Sequence, residues 1–148
     1  MKQFASYGFA ALLLAGSAVA ESKVKMENLP PAVQKTVKEQ TQNAKLAGLS
    51  KEKEGGQTVY ELETVVNGKS RDLMIDSAGT ILSVEDEVAL DSVPEAAKKA
   101  IQQKVATGKI TKVETVTKGS EVSYEAAYTS RSGKKSEYGV NADGTPHK

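Results

Sequence analysis

The 148-residue chain has no cysteine, one histidine, two phenylalanines and a formal net charge of only +1. The missing cysteine excludes a disulfide framework, and with it a lipid-modified N-terminal cysteine after export. The fold must therefore rest on its packed core alone. The lone histidine, His147, sits beside the terminal Lys148. It is a poor base for a serine nucleophile, and with no cysteine it cannot build a transition-metal cage from one chain. The near-zero charge argues against nucleic-acid binding, which calls for a basic patch or stripe. Long apolar runs are missing too. The longest, Phe9 to Leu14, is followed by Gly16 and Ser17, whereas a membrane-spanning helix needs about 20 apolar residues.

What the N-terminus does contain is the pattern of an export signal. Lys2 supplies the positive end, Phe9 to Leu14 the short apolar centre, and Ala18-Val19-Ala20 the small-x-small cleavage site. Residues 1–20 are therefore expected to be a signal peptide. Cleavage after Ala20 would leave a chain that is not inserted in the membrane, in the periplasm or outside the cell. Losing Lys2 takes the basic residues from 20 to 19, against 19 acidic ones, so the remainder carries no net charge.

Past the signal, the sequence aligns with itself at an offset of 64 positions. Pro30 meets Pro94, Ala32 meets Ala96, Lys35 meets Lys99 and Val37 meets Ile101. Tyr60-Glu61 meets Tyr124-Glu125. After one inserted residue, Asp76-Ser-Ala-Gly-Thr80 meets Asn141-Ala-Asp-Gly-Thr145. Turn, proline and apolar positions agree together, so two copies are expected, over residues 21–88 and 89–148.

Each copy opens with a helix. Leu29, Val33 and Val37 recur every four residues, as do Val93, Ala97, Ile101 and Val105, giving one narrow apolar stripe per helix. Ser92-Val-Pro-Glu95 has the spacing of a capping box. Strands are expected over Leu46 to Lys53, Val59 to Val66, Arg71 to Asp76 and Ile81 to Val84. In the second copy they are expected over Ile110 to Lys118, Val122 to Thr129 and Ser136 to Asn141. Asn67-Gly68 is a hairpin turn signal, and Glu85 to Asp91 reads as an acidic link. The expected fold class is α+β: two tandem helix-plus-antiparallel-sheet repeats, αββββ then αβββ. The second copy's missing fourth strand predicts an open edge along Ser136 to Asn141.

Alternation assigns the faces. Tyr60, Leu62, Thr64, Leu73 and Ile75 should lie under the first helix, and Tyr124, Ala126, Tyr128, Tyr138 and Val140 under the second. The opposite face, with Glu61, Glu63, Asp72, Met74, Glu125, Ala127, Thr129 and Glu137, is expected to be solvated.

The order helix, Lys-Leu/Ile, Tyr-Glu strand, Gly-containing turn and Asp-x-x-Gly-Thr resembles the PepSY-like family, in the tandem form likened to the beta-lactamase inhibitor protein. The resemblance runs from Asn28 to Lys148. It implies placement in the bacterial envelope and protein binding or peptidase regulation, and it brings no catalytic residue with it.

Individual residues add little chemistry. Asn141-Ala-Asp143-Gly144 begins like a calcium loop but lacks the later ligands and closing Glu, so a hairpin turn is expected. The pairs Glu61/Glu63 and Glu85-Asp86-Glu87 read as a solvated strand face and a polar link. Among the tyrosines, Tyr128 lies nearest the end of its strand, close to Arg131. These two are the candidate binding residues, since interfaces favour Tyr and Arg. No catalytic residue, metal ligand or cofactor is expected. The leading expectation is an exported non-enzymatic protein of the bacterial envelope that engages a protein or peptide, as a peptidase inhibitor or regulator. The alternative is a periplasmic small-ligand or cation binder using the acidic outer sheet face.

Overall fold

The computed structural model of the chain describes residues 22–147; the expected signal segment, 1–20, lies outside them. The elements run β1 (Ser22–Lys23), α1 (Pro31–Gln40), β2 (Lys45–Glu54), β3 (Gln57–Val66), β4 (Lys69–Asp76), β5 (Ile81–Glu87), α2 (Glu95–Val105), β6 (Lys109–Lys118), β7 (Glu121–Thr129) and β8 (Lys135–Asn141). All eight strands join one antiparallel sheet in chain order, β1 to β8. The α+β class holds. The αββββ/αβββ arrangement is not matched as written, because a short β1 pairs with β2 ahead of the first helix and a 3-10 turn leads into each helix.

The stripes behave as their four-residue spacing requires. Leu29, Val33 and Val37 are buried with Tyr60, Leu62, Leu73 and Ile75. Val93, Ala97, Ile101 and Val105 are buried with Val113, Ala126 and Val140, and Tyr124, Tyr128 and Tyr138 pack around them. Register places both clusters on the same face of the sheet. Leu73 stands opposite Val84, which is opposite Thr117, and Thr117 shares its side of β6 with Val113. Both helices thus cover one face, and no described helix or strand packs on the other.

The expected capping box at Ser92 does not form. Pro94, extended at φ −50° and ψ 141°, takes the N-cap position of α2 and makes no side-chain cap bond. Ser92 lies in the preceding 3-10 turn, where its hydroxyl donates to the Ala89 carbonyl at 2.7 Å. The tight entry moves the helix start past the serine, and a proline nitrogen has no hydrogen to be capped.

The two Gly-Thr turns lock sheet to helix. Gly79 (φ +84°) and Gly144 (φ +86°) sit so close to the first turns of α1 and α2 that an added Cβ would lie 2.8 Å from the carbonyl oxygens of Ala32 and Ala96. The Thr36 hydroxyl donates to the Gly79 carbonyl at 2.7 Å. Asp76 and Asp143 close these turns. The Asp76 carboxylate accepts from the Ala78 and Thr80 N–H groups, and the Asp143 carboxylate accepts from the Thr145 N–H and hydroxyl. These bonds hold the Asp143 pKa below the ordinary carboxylate range.

Two expectations about connections change. The acidic link is shorter, because β5 continues through Glu85 to Glu87. The β8 edge is only partly open: Pro146 bridges to Val140, and the His147 N–H donates to the Gly139 carbonyl at 3.0 Å. The His147 Nδ1 also lies 2.9 Å from Asn141 Oδ1. The hairpin at Gly144 turns the following residues back along β8, where backbone pairing holds them.

Candidate functional site

The sheet face away from the helices carries rows of acids. Cross-strand register puts Glu63 opposite Asp72, Asp72 opposite Glu85, Glu87 opposite Glu114, and Glu114 opposite Glu125. Four like-charged pairs thus step across β3 to β7. Like charges directly opposite each other destabilise a sheet. Among them lie apolar side chains, Val59, Met74 and Val116, themselves buried.

This face is not the solvated surface that alternation predicts. Glu61, Glu85 and Glu114 are each only 4% exposed, and Asp72 is 9%. The physical reason is lateral. On the inner strands of a wide sheet every outward side chain is flanked from both neighbouring strands, at about 4.5–5.5 Å between Cβ atoms. Alternation says which way a side chain points; it does not count those flanks.

The burial shows in the acidities. Burial pushes the Asp72 carboxyl up to about 6, with Lys112 opposing and Glu114 and Glu63 adding to the rise. Burial together with Glu114, Glu125 and Asp72 pushes Glu85 up to about 9. Burial together with Glu137 and Glu114 pushes Glu125 up to about 7. Near neutrality the face therefore holds protons on carboxyl groups.

Lys112 is built into the array. Lys112 Nζ lies 2.7 Å from Glu114 Oε1 and 3.8 Å from Asp72 Oδ2. Burial works against its ammonium, but the bond from Glu114 and the charges of Glu114, Asp72 and Glu85 hold its pKa above the ordinary value. The 64-residue offset pairs Lys112 with Gly48, and the two positions are solved differently. At Gly48 the Glu63 carboxylate fills the space, its Oε2 lying 2.5 Å from where a Cβ would be. Glu61 accepts a hydrogen bond from Ser50 at 3.2 Å, whereas its counterpart Glu125 faces the carboxylate Glu114.

Glu85 is different again. Among the described residues it has neither a hydrogen bond nor an ion pair, although it is nearly enclosed. It borders a cleft lined by Glu61, Asp72, Met74 and Ser83 that has no room for a water molecule. A ligand would have to lie on this face rather than enter it.

Lys112→Ala is expected to destabilise the protein by about 2–4 kcal/mol at pH 8, because it leaves buried carboxylates uncompensated. The loss should shrink at pH 5, below the raised pKa of Asp72 near 6, where that carboxyl is mostly protonated. Urea unfolding at the two pH values checks this.

The two candidate residues from the sequence lie elsewhere. Tyr128 is half-buried on the helix side of β7, packed against the second core cluster, and Arg131 is exposed in the β7–β8 turn. Sequence reading missed Glu85, Lys112 and Glu114. The alternations Ser83-x-Glu85-x-Glu87 and Lys112-x-Glu114-x-Val116 show which residues share a side of each strand. They do not show that β5 and β6 are neighbours. Among the described residues no group of three or more His, Cys, Asp or Glu side chains is disposed to hold a metal ion, and no helix is long and apolar enough to cross a membrane.

An open antiparallel sheet with two helices on one face and a buried acidic array on the other defines the class of this protein. No family profile and no curated protein matches its sequence. Solved structures do match its shape. A candidate periplasmic protein from Bacteroides eggerthii superposes with a TM-score of 0.64 at 18% identity, over 81% of this chain and 86% of that one. A DUF2874 family protein from Bacteroides uniformis gives 0.62 at 16% identity, over 80% and 86%. A BLIP-like protein from Bacteroides fragilis gives 0.54 at 18% identity, over 81% and 84%. The chain shares the fold of these proteins, a BLIP-like fold.

Proposed function

We propose that this chain is an exported, non-enzymatic binding protein of the bacterial envelope, and that it engages a protein or peptide partner through the helix-free face of its sheet. The observation that carries the reading is the set of opposed carboxylates from Glu63 to Glu125, which destabilises the fold and which no described helix or strand covers. Titratable groups with strongly perturbed acidity gather at functional sites, and selection keeps such stability losses where they serve function. The neighbours' descriptions as candidate periplasmic and BLIP-like proteins and the export pattern of residues 1–20 support placement in the envelope. In this proposal residues 21–88 and 89–148 are two PepSY-like repeats, and the partner is a peptidase that the protein inhibits or regulates. Tyr128 and Arg131 form a secondary contact at the β7–β8 end.

A photo-crosslinking residue at Ala127, on the acid-bearing side of β7, tests the reading. In the envelope it should capture one discrete partner, and the same probe at Gln102 on the exposed side of α2 should not. Equal capture at both positions, or none at Ala127, would count against it.

A further inference from the structure

Resting on that reading, we infer that the partner presents a lysine- or arginine-bearing extended segment, and that one of its cationic head groups seats over Glu85 among Asp72, Glu114 and Glu125. Three observations converge. Glu85 is a nearly buried carboxyl with no hydrogen bond or ion pair among the described residues, in a position directly opposite Asp72. Burial penalises the charged form of Glu85, and an ammonium or guanidinium docked over it would favour that charged form. Lys112 shows that the face accepts an amine in this way, 2.7 Å from Glu114. It cannot neutralise Glu63, Asp72, Glu85, Glu87, Glu114 and Glu125 together.

The span selects a polypeptide rather than a small cation. The acids run over β3 to β7, four strand intervals of about 4.8 Å, or roughly 19 Å. An extended segment of about six residues covers that distance. Val59, Met74 and Val116, interleaved with the acids, offer apolar contact between the charged points. Charge complementarity of this kind sets specificity and speeds association.

Cation docking favours the ionised carboxylates, so it should release protons. The protons come from Asp72 on β4, Glu85 on β5 and Glu125 on β7, whose carboxyls burial holds above the ordinary range. Glu52 from β2, Glu61 and Glu63 from β3, Glu87 from β5, Lys112, Glu114 and Lys118 from β6, and Lys135 and Glu137 from β8 share that face. Binding should tighten as the pH rises from 5 to 8.

The test is an amide-shift titration of the full chain with the peptide Arg-Gly-Arg-Gly-Arg-Gly, with spermine and with hexaglutamate, at low salt. The arginine peptide should shift β3 to β7 amides around positions 61–63, 72, 83–87, 114 and 125, and hexaglutamate should shift none. The double variant Asp72→Asn/Glu85→Gln should weaken the peptide at least tenfold. Its melting curve reports folding independently. Unchanged affinity in that variant, or shifts confined to the helices, would overturn the inference. Spermine binding as tightly as the peptide would overturn the polypeptide assignment. The two readings fail separately. If the Ala127 probe captures a partner that the double variant captures equally well, the cationic segment is wrong and the binding function stands. If the Ala127 probe captures nothing, the function itself is wrong.

Discussion

Glu85→Gln is expected to stabilise the protein at pH 8 and to do almost nothing at pH 5. The Glu85 carboxyl ionises near 9 in the folded protein, against 4.5 for the free group. Between those values the folded state binds a proton that the unfolded state has released, so stability falls as the pH rises. At about 1.4 kcal/mol per unit, the loss at pH 7 is on the order of 3 kcal/mol. Asp72, with its pKa near 6, and Glu125, near 7, slope the same way. Lys112 does not reverse this, because its raised pKa makes itself felt only above the ordinary lysine value. Wild type should therefore melt highest near pH 4–5 and progressively lower towards pH 9. Glutamine at 85 keeps the shape and never ionises, so the slope should flatten and the melting temperature at pH 8 should rise by roughly 10 °C. A wild-type melting temperature that climbs from pH 5 to 8 would show that these carboxyls are not held protonated.

The second large effect lies at the helix–sheet junctions. Gly79→Ala and Gly144→Ala should each destabilise by roughly 2–4 kcal/mol, in the range reserved for clashes and forced backbone conformations. The added methyl meets a helix carbonyl 2.8 Å away at each position, and both backbones have positive φ. Gly55→Ala is the control. Its φ is +55° but nothing lies within 4 Å, so only the conformational term of about 1 kcal/mol remains. Chemical denaturation of the three variants separates steric contact from conformation. Equal losses at positions 55 and 79 would mean that the approach to Ala32 contributes nothing.

The two effects differ in how far the sequence showed them. Asp76-Ser-Ala-Gly79 and Asn141-Ala-Asp-Gly144 are visible as turns because glycine and Asx chemistry is local. That the same glycines abut α1 and α2 is a contact between distant segments, and only the folded chain shows it. The stripes Val33/Val37 and Val93/Ala97/Ile101/Val105 and the inward set Tyr60, Leu62, Leu73, Ile75 were legible for a similar reason. Periods of 3.6 and 2 are properties of consecutive residues. The capping box at Ser92 misled because the spacing is local while the helix start depends on how the chain enters through a 3-10 turn.

The acidic face marks the limit most clearly. By itself the sequence determined that Glu61, Glu63 and Asp72 point away from the helices, since side chains alternate along a strand whatever lies beside it. It also determined the α+β class and the absence of any disulfide. Only the tertiary structure decided that β5 lies between β4 and β6. That placement sets Glu85 opposite Asp72, brings Lys112 to Glu114 and Asp72, and buries carboxyl groups that alternation alone leaves in water. Register between strands depends on pairing across the whole sheet, so the face a residue points to can be read from its neighbours in sequence, and its environment there cannot.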